Sequence, residues 1–228
     1  DGWFMMRSDW TPDAVYMNIR NGYNGSHGHA DHNSITLSAY GTNLVADPGV
    51  YAYGTDETFE LMATRSHATV TVDSASTNRN MGPNTWVSTS SADFFRGTNT
   101  GYKGIEGVIH TRKIVFLKPD YWLVNGSVEG SGEHETAVRY TMHPMDMKSD
   151  SSGVFRTANA GGNLMIVPFP GSGFSAQNST YRVPVHGRMV SAPVATYATR
   201  QQLPVEFAAV LQPFKGSDCP SVRVERLT

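Results

Sequence analysis

Residues 34–40 run Ser34-Ile35-Thr36-Leu37-Ser38-Ala39-Tyr40, and residues 68–73 run Ala68-Thr69-Val70-Thr71-Val72-Asp73. Apolar and polar side chains alternate along both. A period of two places each set on its own face of an extended strand. The same signature recurs at 14–20, 107–117, 121–128, 135–142, 163–168, 192–198 and 206–212. Turn chemistry separates these runs: Asn21-Gly22, Tyr40-Gly41-Thr42-Asn43, Lys118-Pro119-Asp120, Gly130-Ser131-Gly132 and Gly161-Gly162. Many short strands with this punctuation predict an all-β chain, an antiparallel multi-strand β-sandwich with little helix. Residues 56–63 are the exception and predict one or two helical turns, with Thr55 or Asp56 as the N-cap. Residues 73–84 are rich in Ser, Thr and Asn and read as a long loop. No linker or repeat interrupts the pattern, so 1–228 is read as a single domain.

Composition narrows the function. Eighteen Lys and Arg against twenty Asp and Glu leave a formal charge of −2, which gives no bulk attraction for nucleic acid. An anionic partner would have to meet a local cluster of Arg, Lys or His. The single cysteine, Cys219, has no intrachain partner for a disulfide. No run of eighteen apolar residues exists to cross a membrane as a helix. The chain opens without Met on Asp1-Gly2-Trp3-Phe4-Met5-Met6-Arg7, which reads as mid-strand and as part of something longer.

The sharpest chemical feature is Ser26-His27-Gly28-His29-Ala30-Asp31-His32-Asn33. If extended, His27, His29 and Asp31 share one face. Two imidazoles can grip one ion, but zinc needs three or four donors, so another must come from elsewhere. Two candidates stand out: Asp47, ending the apolar run 44–46 before Pro48-Gly49, and His67, opening the strand at 68–73. Each also has an ordinary reading: surface histidines, a turn-capping aspartate, a satisfied core histidine. Asp31 fits either as a ligand or, better, as an acceptor that orients a ligating imidazole.

The strings His27-Gly28-His29-Ala30-Asp31, Asp47-Pro48-Gly49-Val50-Tyr51 and Ser66-His67-Ala68-Thr69-Val70-Thr71-Val72-Asp73 together resemble the C-terminal β-sandwich domain of heparinase II/III-like polysaccharide lyases. The resemblance is specific over residues 3–73 and looser over 105–145. It implies cleavage of a uronic-acid polysaccharide (glycosaminoglycan- or alginate-like) by β-elimination, in a cleft shared with an N-terminal α/α-toroid domain absent from this chain. It implies zinc, or another divalent metal, held by His29, Asp47 and His67, with His27 facing the sugar as the catalytic histidine. It also implies a secreted or periplasmic enzyme. Ala68 departs from the family, which carries Asn after the third ligand. Arg65, Tyr51 and Tyr53 are weaker candidates for substrate contact. Arg112 and Arg188 are weaker still and read as solvated strand residues. Without its toroid partner the domain is expected to be inactive or nearly so.

Three other readings compete. A carbohydrate-binding or interface module with a structural metal keeps the fold but leaves His27 without a role. A cupin would place Glu four or five residues after the His pair, where Asn33 and Ser34 stand. An immunoglobulin-type module lacks its Cys and Trp landmarks.

Overall fold

The fold is a computed structural model that describes residues 2–23, 28–78, 81–171 and 173–225. In chain order its elements are β1 (Trp3–Arg7), β2 (Tyr16–Arg20), β3 (Ser34–Ala39), β4 (Thr42–Val45), helix α1 (Asp56–Leu61), a 3-10 turn (Thr64–Ser66), β5 (Val70–Val72), β6 (Met81–Ser88) and β7 (Ala92–Asn99). There follow β8 (Ile109–Leu117), β9 (Tyr121–Glu129), β10 (Glu133–Thr141), β11 (Asp146–Ser149), β12 (Phe155–Ala158), β13 (Gly162–Pro168), β14 (Ser175–Val185), β15 (Arg188–Gln202) and β16 (Val205–Lys215).

Among the described residues every strand pairing is antiparallel, and the strands form three sheets. The large sheet orders β11-β12-β13-β16-β9-β8-β7-β6; a second orders β14-β15-β10-β5; the third is the meander β1-β2-β3-β4. The expected antiparallel β-sandwich with little helix is the architecture found. Alternation explains the layering: on β9, Trp122, Val124 and Val128 are buried while Tyr121, Leu123 and Asn125 lie half-buried opposite them. The inward sets of the large sheet meet Met6, Met17, Ile19, Ile35 and Leu37 of the meander and Val138 and Tyr140 of β10 in one core. Removing each such side chain from water stabilises the fold by roughly 1.5–3 kcal/mol before entropy is counted. Aromatic pairs seal the layers: Phe116 stacks on Trp122 at 4.6 Å, and Phe4 of β1 meets Phe95 of β7 at 4.9 Å. A smaller apolar cluster of Val154, Met165, Val167, Val210 and Phe214 lies on the opposite face, under Val222 and Val224.

Several sequence expectations shift. The helix spans Asp56–Leu61, and its N-cap is Thr55, whose Oγ1 accepts the Thr58 N–H. The long loop expected over 73–84 ends early, because β6 begins at Met81. The segment 28–33 is irregular and not extended, with Asn33 at φ 58°. The shared-face argument for His29 and Asp31 therefore fails, while His27 lies outside the described residues.

Candidate metal centre

The site arises where two strands occupy one edge of β10 end to end. On that edge Val138 pairs with Val70 of β5, and the Arg139 N–H donates to the Thr69 carbonyl at 3.0 Å. Three residues on, the Ala46 N–H donates to the Thr141 carbonyl at 2.9 Å, and Val45 bridges Met142. The chain entering β5 and the chain leaving β4 thus arrive at the same place from opposite directions. His67 precedes the first, and Asp47 follows the second.

A third segment is tied onto this seam. The Thr69 hydroxyl donates to the His32 carbonyl at 2.8 Å, the Ile35 N–H donates to Ala68 at 3.3 Å, and the Ala30 N–H donates to Met62 at 2.8 Å. Arg112 of β8 fastens the crossing from below. Its Nη1 donates to the carbonyls of Asn33 (2.6 Å) and Ala68 (2.9 Å), and the side chain is wholly buried. Burial lowers the proton affinity of that guanidinium, an effect its neighbours Tyr140 and Tyr102 partly offset. The expectation of a solvated Arg112 is thereby corrected, since a buried cation on two carbonyls braces the fold.

These constraints bring His29, Asp47 and His67 together, with one donor atom from each within 4.8 Å of the others. Asp47 Oδ2 lies 2.9 Å from His67 Nδ1, and Gly49 N–H donates to Asp47 Oδ1 at 2.9 Å. On its other side His67 presents Nε2 to His29 Nδ1 at 3.3 Å. His67 is fully buried, His29 half-buried, and the Asp47 side chain is 40% exposed, so the cluster opens to solvent on the carboxylate side. Burial, reinforced by His67, lowers the proton affinity of His29 against the opposing pull of Asp47 and Asp31. Burial tends to raise the Asp47 carboxyl, but its hydrogen bond to His67, the His67 charge and the Gly49 N–H outweigh that and hold it below the usual range.

The donor set fits a zinc ion. Each of the two imidazoles and the carboxylate offers one donor atom within 4.8 Å of the other two. Zinc accepts two imidazole nitrogens and one carboxylate oxygen and leaves a fourth position for water or substrate. The lowered proton affinities of His29 and Asp47 favour the neutral imidazole and the ionised carboxylate that a metal needs.

Other expected residues fall elsewhere. Asp31 is buried, and burial raises its carboxyl despite the nearby His67 and Arg20. Among the described residues no hydrogen bond joins it to His29 or His67; the carboxylate in contact with His67 is that of Asp47. Arg65 forms an exposed ion pair with Glu60. Tyr51 and Tyr53 project from the exposed loop after Asp47. Two flanking clefts escaped the sequence reading. One, of ≈ 270 Å³, joins Asp47 to Tyr16, Ser38, Asn43 and His143; the other, of ≈ 210 Å³, joins His29 to Phe59, Asn78 and Lys103.

A β-sandwich carrying an imidazole–carboxylate–imidazole cluster at a seam between sheets defines the class. The chain belongs to the family "Heparinase II/III-like, C-terminal", whose model matches residues 2–224. Among solved structures it is similar to heparan sulfate lyase HepC from Pedobacter heparinus, with 22% identity and a TM-score of 0.88 over 96% of this chain and 36% of that one. It is also similar to a heparinase III gene product (21%, TM-score 0.88, the same coverages) and to another heparinase III (16%, TM-score 0.81, 95% of this chain and 36% of that one). At these identities the likeness is one of fold. Comparison with curated protein sequences gave no match. The chain spans about a third of the length of these lyases.

Proposed function

We propose that this chain is the β-sandwich part of a polysaccharide lyase that cleaves a uronic-acid polysaccharide by β-elimination, and that His29, Asp47 and His67 hold a zinc ion bracing its catalytic face. The observation that carries the reading is the gathering of one donor atom from each of His29, Asp47 and His67 within 4.8 Å of the others. Family membership supports the lyase assignment. The names of the similar structures point to glycosaminoglycans as the substrate class.

In β-elimination a base removes the C5 proton of the uronate while the 4-linked sugar departs. The charged carboxylate opposes that proton loss, so the site must neutralise it and stabilise the developing enolate. A base and an acid must also serve the two proton transfers. Bound zinc would supply fixed positive charge and a rigid anchor. As the third ligand Asp47 would tie the end of β4 to His67, and His29 would fix the segment that begins two residues earlier with His27. His27, which the family resemblance turns toward the sugar, would suit neutralisation or base work. The N-terminal toroid would close the cleft and contribute the remaining proton-transfer groups, so the chain alone turns over little or no substrate.

Elemental analysis of protein purified without added metal tests the centre. Near-stoichiometric zinc is expected in the wild type, with loss in His29→Ala and His67→Ala. Metal-free wild type that also fails to take up added zinc overturns the reading.

A further inference from the structure

The cleft beside His29 is built from four chain segments that hydrogen bonds lock to one another. The Ala30 N–H donates to Met62 at 2.8 Å, and the Thr64 hydroxyl donates to the Ala30 carbonyl at 2.6 Å. The Thr77 N–H donates to the Thr64 hydroxyl at 2.8 Å, and the Lys103 N–H donates to Ser76 at 2.8 Å. Thr77 also bridges Tyr102, so Lys103 leaves a fixed stretch of backbone. The walls are therefore set before any ligand arrives, which removes an ordering cost from binding.

The lining has a definite chemistry. Phe59 is 64% exposed on α1, too open to serve the core. Lys103 is exposed and carries no ion pair among the described residues. Asn78 and the half-buried His29 add polar groups, while Met62 and Ala63 add apolar floor. The volume of ≈ 210 Å³ falls below the range of about 300–1,000 Å³ typical of drug-sized ligands, which suits one sugar ring and not a disaccharide.

Building on the lyase reading above, we propose that this cleft is a subsite for a single acidic pyranose unit of the polysaccharide. The Lys103 ammonium pairs with the unit's carboxylate or sulfate, the Phe59 ring lies against its apolar face, and Asn78 bonds its hydroxyls. A lysine provides a mobile point charge that accepts either anion without bidentate geometry. This places a specificity-determining cation on the β domain, next to the metal centre.

The test is titration calorimetry of the chain with a heparan sulfate tetrasaccharide, alongside carboxyl-reduced and desulfated versions. Lys103→Gln is expected to weaken binding about tenfold, the loss typical of one charge-assisted contact, and to flatten the salt dependence. Lys103→Arg should restore most of the affinity. Phe59→Ala should weaken the charged and the modified sugars alike. Whichever modified sugar loses its sensitivity to Lys103→Gln names the anion read. Zinc content should stay at the wild-type level in these variants, which separates this subsite from the metal centre. Binding that depends on Lys103 in metal-free protein upholds the subsite while the zinc reading falls. Equal affinity in Lys103→Gln and wild type overturns the proposal, as does a wild type that binds none of the sugars.

Discussion

Gly162→Ala tests whether close backbone contact between the large sheet and the meander holds the candidate site in place. Gly162 opens β13 where it crosses the hairpin joining β3 to β4. A methyl group there would lie 3.0 Å from the Ala39 carbonyl carbon, 3.2 Å from Thr42 Cβ, and nearer still to the Ala39 oxygen. The obstacle is backbone, so no rotamer change relieves it, and the hairpin must retreat by roughly 1 Å to reach ordinary contact. That retreat also stretches the bond from Gly162 N–H to Thr42 Oγ1, now 2.8 Å. Overpacking of this kind costs about 1–3 kcal/mol and the weakened bond about 0.5–1.5 more. A loss of about 2–4 kcal/mol corresponds to a melting point lower by roughly 5–15 °C for a chain of this size. Because β4 runs from this hairpin to Asp47, zinc affinity should fall too. The assay is thermal unfolding followed by circular dichroism, with Gly126→Ala as the control. A methyl at 126 meets only His110 Nε2 at 3.6 Å, an ordinary contact, so the control should stay near wild type. A Gly162→Ala melting point within 2 °C of wild type would refute the argument.

Other outcomes follow from the same geometry. Arg112→Met removes a buried charge but strands the Asn33 carbonyl, and those effects largely cancel in stability. Zinc affinity, measured by competition with a chelator, should nonetheless drop about 10–100-fold, as for lost outer-sphere supports; affinity within twofold of wild type refutes the bracing role. Lys118 pairs at 2.7 Å with Asp93, which is 2% exposed, so Lys118→Met leaves a buried carboxylate supported mainly by the Ser88 hydroxyl. Urea unfolding should register a loss of about 3 kcal/mol, and a change under 1 kcal/mol would contradict it. Burial, aided by Arg20, lowers the fully buried His32 from 6.5 to about 4. Above pH 6.5 it is neutral whether folded or unfolded and contributes no pH dependence. As pH falls from 6.5 to 4 only the unfolded chain takes up the proton, so up to about 3 kcal/mol of stability is lost across that window. His32→Asn, which can keep the contact to Thr77 Oγ1, should flatten that part of the stability–pH curve; an unchanged slope excludes His32 as its source.

The sequence revealed strands wherever a single face enters the core. Ser34–Ala39 and Tyr121–Glu129 alternate cleanly because one side packs and the other faces outward. It concealed β14, whose residues are mostly exposed, since a strand without a buried face has nothing to alternate. It concealed β6 behind the polar run preceding it, although Trp86 and Phe95 of the β6–β7 hairpin pack into the core with Phe4. At the site, residue types and spacing brought His29, Asp47 and His67 forward as candidates, and the structure places them together. The reason they converge was not legible. It lies in β10, some seventy residues beyond His67, whose edge receives both flanking strands. Nor does any local pattern distinguish Arg112, a buried clamp, from an arginine on a solvated strand. Lys103 and Phe59 escaped notice for a similar reason, because only the fold sets them beside His29.

The shared edge of β10 has an evolutionary consequence. Everything between Asp47 and His67 is one excursion whose two feet stand a few residues apart on the same rail. Its nearer part, 50–54, is exposed, while Ala30 and Ser66 fasten the farther part through the carbonyls of Met62 and Glu60. The exposed stretch behaves as an interchangeable cassette. Among the described residues its side-chain ties at Ala52 run to Thr55 and Thr58 inside the excursion, so a change of length or of aromatics there would leave both feet and the three donors in place.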